Sequence, residues 1–184
     1  ELVIDINQGV TEPMPIAIQA LVGASEEEAR VGRDIARVVS ADLERSGLFR
    51  PLDPRSFLQD AADTANTPRF PDWRAINASA LVAGKVTRQS DGRLRVEFRL
   101  WDVFAQQQLA GMAYQTTADN WRRISHIIAD AIYKRMTGEA GYFDTRIVYV
   151  AESGPMNKRI KRLAIMDQDG ANNTYLTDGR VLVL

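Results

Sequence analysis

Between Arg93 and Leu100 every second residue is apolar: Leu94, Val96, Phe98 and Leu100 alternate with Arg93, Arg95, Glu97 and Arg99. A two-residue period predicts a strand with one buried face and one charged face. This constrains the rest of the chain, because the apolar face of a sheet needs a second layer over it. Ser90-Asp91-Gly92 is a hairpin turn signal that joins this strand to another expected over residues 80–86, and residues 108–116 are expected to close a meander. Two long helices supply the covering layer. Ser25 and Glu28 have the spacing of a capping box, and Glu26 and Glu27 also suit a helix N-terminus. Val31, Ile35, Val38, Val39 and Leu43 follow at helical spacing, with Gly47 placed to end the helix. Over residues 120–137, Trp121, Ile124, Ile128, Ala131 and Ile132 form a second apolar stripe, stopped by Gly138.

The remaining segments complete an α/β reading. Residues 15–21 and 48–52 read as strands, residues 60–67 as an exposed polar loop and residues 72–76 as a short helix. At the start of the chain, Leu2, Ile4 and Ile6 lie on one side of an extended segment with Asp5 opposite, before a turn-prone stretch through Gly9 to Pro13. After Thr145 only short strands are expected, over residues 147–151, 161–166, 174–176 and 181–184, separated by Gly, Asn and Asp turns. Roughly 40 residues of this texture amount to about one blade of a β-propeller. The expected architecture is a layered α/β domain with a mixed sheet of about five strands and two long helices, followed by a truncated all-β propeller blade. Its parts are an N-terminal segment over residues 1–12, the domain over 13–140 and the incomplete blade over 145–184. The uncharged run at 181–184 reads as a cut chain, and since no basic-then-apolar stretch stands at Glu1, any export signal is expected to have been removed already.

Chemistry is scarce in these residues. Lys and Arg total 23 against 24 Asp and Glu, so the basic surplus that nucleic acid or an anionic membrane demands is missing. No run of eighteen apolar residues is present to insert in a membrane. Cys is absent and His occurs once, which excludes thiol catalysis and Cys/His zinc sites and leaves any triad to His126 alone. On a helical period His126 falls opposite the apolar stripe, so it is expected at the surface or at a domain contact, without nucleophile or metal partner. Asp167-Gln168-Asp169-Gly170 has part of a calcium-loop pattern, but Ile165 and Leu176 stand where acidic ligands belong, and a β-turn explains it. Arg93, Arg95 and Arg99, interrupted by Glu97, read as a solvated sheet face. No catalytic, metal or cofactor site is expected.

Several stretches together resemble one family. Residues 121–133, Trp-Arg-Arg-Ile-Ser-His-Ile-Ile-Ala-Asp-Ala-Ile-Tyr, followed by Thr137-Gly138, resemble the second helix of the TolB family, in a form similar to alphaproteobacterial members. Gly141-Tyr142-Phe143-Asp144-Thr145-Arg146, Gly47-Leu48-Phe49-Arg50-Pro51-Leu52 and Ile4-Asp5-Ile6-Asn7-Gln8-Gly9 fit the same family in the same order. The resemblance implies a non-catalytic periplasmic component of the Tol-Pal envelope system, built as an α/β domain before a six-bladed propeller. It implies two partners: the C-terminal domain of TolA, taken by the N-terminal segment, and Pal, taken by the propeller that this chain nearly lacks. Mapped here, the TolA-binding residues would be Leu2, Val3, Ile4, Asp5, Ile6, Asn7, Gln8, Gly9 and Val10, added as a strand to the partner sheet. Two other classes compete. One is an accessory domain of a propeller-containing hydrolase or peptidase, with its nucleophile downstream of Leu184. The other is a nucleic-acid module, which the charge balance disfavours.

Overall fold

The hairpin forms the middle of a mixed sheet. In the computed structural model, which describes residues 2–9 and 12–180, the chain divides into two units, Glu1–Gly141 and Tyr142–Leu184. The first unit runs β1 (Met14–Ile18), β2 (Val22–Gly23), α1 (Glu26–Arg45), β3 (Phe49–Pro51), α2 (Ala61–Asn66), α3 (Phe70–Ala75), β4 (Ala80–Arg88), β5 (Leu94–Asp102), β6 (Gln107–Thr116) and α4 (Trp121–Thr137). Its strands lie in the order β3-β1-β4-β5-β6, with β2 also on β4. Pairing is parallel on the β1 side of β4 and antiparallel through β5 and β6.

The sheet has six strands where about five were expected, because the run read over residues 15–21 is broken. It leaves the ladder at Gln19 and returns as β2, beside Lys85 and Val86 of β4. The excursion brings the chain under α1, where Leu21 donates its N–H to the Gly32 carbonyl. A Cβ at Gly32 would sit 1.9 Å from the Leu21 oxygen, so only glycine lets helix and strand approach this closely. Residues 60–67, expected as a loop, contain α2. Asp60 caps it by accepting from the Asp63 N–H, and small residues carry too little periodicity to announce a one-and-a-half-turn helix.

Alternation sorts the core onto two faces. Ile16, Val82, Val96, Phe98 and Leu100 are buried on the face under α1 and α4. Ala17 and Leu81 point the other way and pack with Trp73, Ala78 and Val103, with Phe57, Phe70 and Trp101 around them. That second core is organised by Gln59, which is 3% exposed. Its Oε1 accepts from the Trp73 indole and the Arg69 N–H, its Nε2 donates to the Thr67 carbonyl, and its own carbonyl accepts from Gln19.

The capping box at Ser25 and Glu28 is present, and Glu28 does more than cap. Its Oε2 accepts from the Ala24 and Ser25 N–H groups and its Oε1 from the N–H of Arg88, at the far end of β4. The hydrogen bond from the Arg88 backbone, then that from Ser25, holds the carboxyl below its ordinary range against the opposing effect of burial.

The two long helices are clasped by a buried polar pair. His126 of α4 is 2% exposed, and its Nδ1 lies 2.5 Å from Oδ2 of the fully buried Asp42 on α1. Arg45 also pairs with Asp42, from the helix surface. Of the two placements expected for His126, the surface is therefore excluded: α4 buries a flank against α1 as well as its apolar stripe against the sheet. One-stripe periodicity does not register a second covered side.

The second unit is a three-stranded antiparallel sheet, β7 (Arg146–Ser153), β8 (Ile160–Asp167) and β9 (Thr174–Tyr175). Consecutive residues Ile147 and Val148 are both exposed, as are Val150, Ile160 and Tyr175. Neither face of β7 is fully covered. The expected strand over residues 181–184 lies outside the described residues.

Two outcomes are expected from this architecture. A carboxyl with a depressed folded pKa contributes its stabilisation in full above its unfolded value and loses it as pH falls toward the folded one. Glu28→Gln should therefore flatten the decline in urea stability below about pH 5, and Glu28→Ala should cost about 3 kcal/mol at neutral pH. Parallel wild-type and Glu28→Gln curves from pH 6 to pH 3 would exclude this role. Hydrogen exchange should also show weaker amide protection in β7–β9 than in β4–β5, since small sheets with open faces unfold locally at low cost. Equal protection in both sheets of a dilute sample would count against it.

Candidate functional site

The N-terminal segment was expected as a strand, but among the described residues, residues 2–5 pair with no strand and residues 6–9 form a turn. Ile4 explains the difference. Its side chain is 7% exposed and its N–H donates to the carbonyl of Met136, 2.8 Å away, in the last turn of α4. Carbonyls in a last helical turn have no intrahelical donor, so an incoming N–H there satisfies a group that would otherwise need water. The segment thus spends its backbone on a helix end, not on a sheet edge. Gly138 ends α4 at φ +79°, turning the onward chain away from that end.

On either side of this anchor the segment is accessible. Val3 and Ile6 are 54% and 39% exposed, and Leu2 is half-buried. Asp5 is exposed, and its Oδ1 accepts from the Asn7 N–H, a local turn that lifts the chain off the surface before Gly9. The alternation of Leu2, Ile4 and Ile6 does not become a common buried face: Ile4 alone is fully covered. Gly9 has φ +46°. Glu1, Val10 and Thr11 lie outside the described residues, so Val10 of the expected binding segment is not placed.

The other residues singled out from the sequence are held in local structure. Asp167 and Gly170 close a turn between β8 and β9, with the Gly170 N–H donating to the Asp167 carbonyl and the Asn172 amide to the Asp167 carboxylate. Arg93 pairs with Asp91 and Arg95 with Glu97, as a solvated face would. Arg88 pairs with Glu27 and helps hold the start of α1. Sequence reasoning missed the partnership of Asp42 with His126 and the role of Gln59, since none of these polar residues stands in a motif and their partners lie between 8 and 84 positions away.

Set beside known proteins, residues 2–109 match the model of the TolB amino-terminal domain. The chain is 62% identical over all 184 residues to the Tol-Pal system protein TolB of Paramagnetospirillum magneticum and spans 41% of that protein's length. The crystal structure of TolB from Acinetobacter baumannii covers 96% of the chain at 27% identity with a TM-score of 0.76, and the chain covers 41% of it. The domain match over more than half of the sequence and the agreement in fold lead to one conclusion: the chain belongs to the TolB family.

Proposed function

We propose that the chain is the N-terminal part of a non-catalytic, periplasmic interaction component of a Tol-Pal system. In this reading residues 1–12 form the segment that binds the C-terminal domain of TolA, residues 13–140 carry it, and residues 145–184 begin a propeller whose remainder would hold Pal. Family membership supports the system, through the Tol-Pal name of its relative. The open faces of β7–β9 support the propeller reading, because strands with apolar residues on both sides need neighbouring sheet to cover them.

The observation that carries the TolA assignment is the weak tether of the segment. Among the described residues, one buried side chain and one backbone hydrogen bond to α4 hold residues 2–9, while Leu2, Val3 and Ile6 keep apolar surface available. A segment of this kind can leave its resting place and add to a partner's sheet edge, with its backbone giving affinity and alternate side chains choosing the face. Release from α4 would be part of binding, and the docked form would compete with the partner-bound form.

Calorimetry with the C-terminal domain of TolA, comparing the intact chain with one starting at Pro13, tests the assignment. Binding should be lost in the shortened chain, and equal affinity would move the TolA site elsewhere on the domain. Ile6→Ala should weaken binding about fivefold while changing stability by less than about 0.5 kcal/mol, since Ile6 is exposed in the docked form. Ile4→Pro should be the most damaging single change, because it removes a ladder donor and a buried side chain together.

A further inference from the structure

The far edge of the first sheet carries little protection beyond a bulge at Leu109, whose carbonyl accepts from Arg135 of α4. β6 is its last strand, and it runs for ten residues, Gln-Gln-Leu-Ala-Gly-Met-Ala-Tyr-Gln-Thr, without a charge or a proline. Natural edge strands usually carry such residues, or a covering element, to prevent pairing with another chain. Gln108, Gly111, Met112, Ala113 and Gln115 are exposed. The opposite edge, β3, is only three residues long.

Beside this edge, on the sheet face away from α1 and α4, lies a groove of about 500 Å³. Ala83, Gly111 and Ala113 keep its floor low, and Thr64 and Ala65 of α2 form a wall. Lys85 and Arg99 line it, both are exposed, and neither makes an ion pair among the described residues. Glu97 is also in the groove, but Arg95 pairs with it at 2.9 Å. The groove is therefore cationic. Gly111 stands directly opposite Arg99 in the β5–β6 register, and the Gln108 side chain of β6 folds over the space a Cβ would take there, its Nε2 2.6 Å from that point, beside the Arg99 stem.

We propose that β6 is a docking edge for an extended acidic polypeptide segment, which pairs with it as a further strand and directs carboxylates toward Arg99. An added strand would lie two strand spacings from β5, roughly 10 Å, a gap that an arginine and a glutamate reaching toward each other can close. Lys85 of β4, three strand spacings or roughly 14 Å from the added strand, contributes through its field only at low ionic strength. Charge decides against a second copy as the occupant. Edge-to-edge antiparallel pairing of two β6 strands has its two-fold axis normal to the sheet, which sets both cationic faces side by side.

The probe is an acetylated, amidated ten-residue peptide alternating Glu and Thr, titrated at low salt into the ¹⁵N-labelled chain. Amide shifts should concentrate on residues 107–116, weaken about tenfold in Arg99→Glu and persist in Arg99→Lys, with raised salt reducing them in the same sense. A peptide alternating Lys and Thr should produce none at the same concentration. Equal response to both peptides, no response, or shifts confined to other strands would overturn the proposal. So would the same shifts from free glutamate, which would mark an anion site and not a strand edge. Concentration-dependent β6 shifts without peptide would assign the edge to a second copy and overturn it as well.

Discussion

The Glu28 carboxylate is the constraint from which the arrangement of the first unit follows. Two of its three backbone donors belong to the chain entering α1 and the third to the end of β4, so one side chain fixes where the helix begins relative to the central strand. The helix then has one course, along the excursion at Leu21, which the missing Cβ of Gly32 allows it to follow. That course carries Asp42 to His126 and so determines how α4 lies beside α1. The last turn of α4 in turn presents the Met136 carbonyl to Ile4. A helix cap is thus connected through two helices to the docking of the N-terminal segment. Each connection is short-ranged and at least half-buried, where an unsatisfied partner is costly.

The two faces of the sheet are covered differently, and this asymmetry produces the groove. α1 and α4 are long enough to shield one face along β4 and β5. The other face is covered only at the β1 end, by short α2 and α3 and the aromatic cluster around Trp73. Gln59 makes that small cover possible, because it meets the polar needs of Thr67, Arg69 and Trp73 in a region with almost no regular backbone pairing. Towards β6 the cover ends, and Lys85, Glu97 and Arg99 replace apolar residues on the same face. The charged half of the alternation in β5 is the signature of that uncovered region.

Much of the architecture was legible because it rests on local signals. The alternation of residues 93–100, the capping box at Ser25 and Glu28, and the glycines at 47 and 138 identify their elements from a few neighbouring residues. Pairings across long sequence separation were not legible. The burial of His126 against α1 was not legible because one helical stripe explained α4 without that flank, and nothing near Asp42 in sequence indicates a partner 84 positions away. The N-terminal residues failed for a related reason. Alternation predicts an extended backbone but not what satisfies it, and here a helix carbonyl takes the place of a neighbouring strand. The family resemblance reached further than these local signals, since it rests on several stretches in a common order.

The energetics of that N-terminal contact suit a reversible one. Burying an isoleucine side chain is worth about 1.5–3 kcal/mol, and the hydrogen bond to Met136 adds about 1 kcal/mol. Ordering the backbone opposes this, and the exposed neighbours Val3, Asp5 and Ile6 return little burial for being held. The docked form can therefore exceed the released form by only a small margin. A partner offering a continuous strand edge would replace one backbone hydrogen bond with several and cover Ile6 as well as Ile4. Such a differential is enough to shift a closely balanced pair of states, whereas a segment already laddered into its own sheet would have to lose as many hydrogen bonds as it gained. Docking on a helix end instead of a strand leaves the segment's own ladder unused, which is the condition strand addition requires.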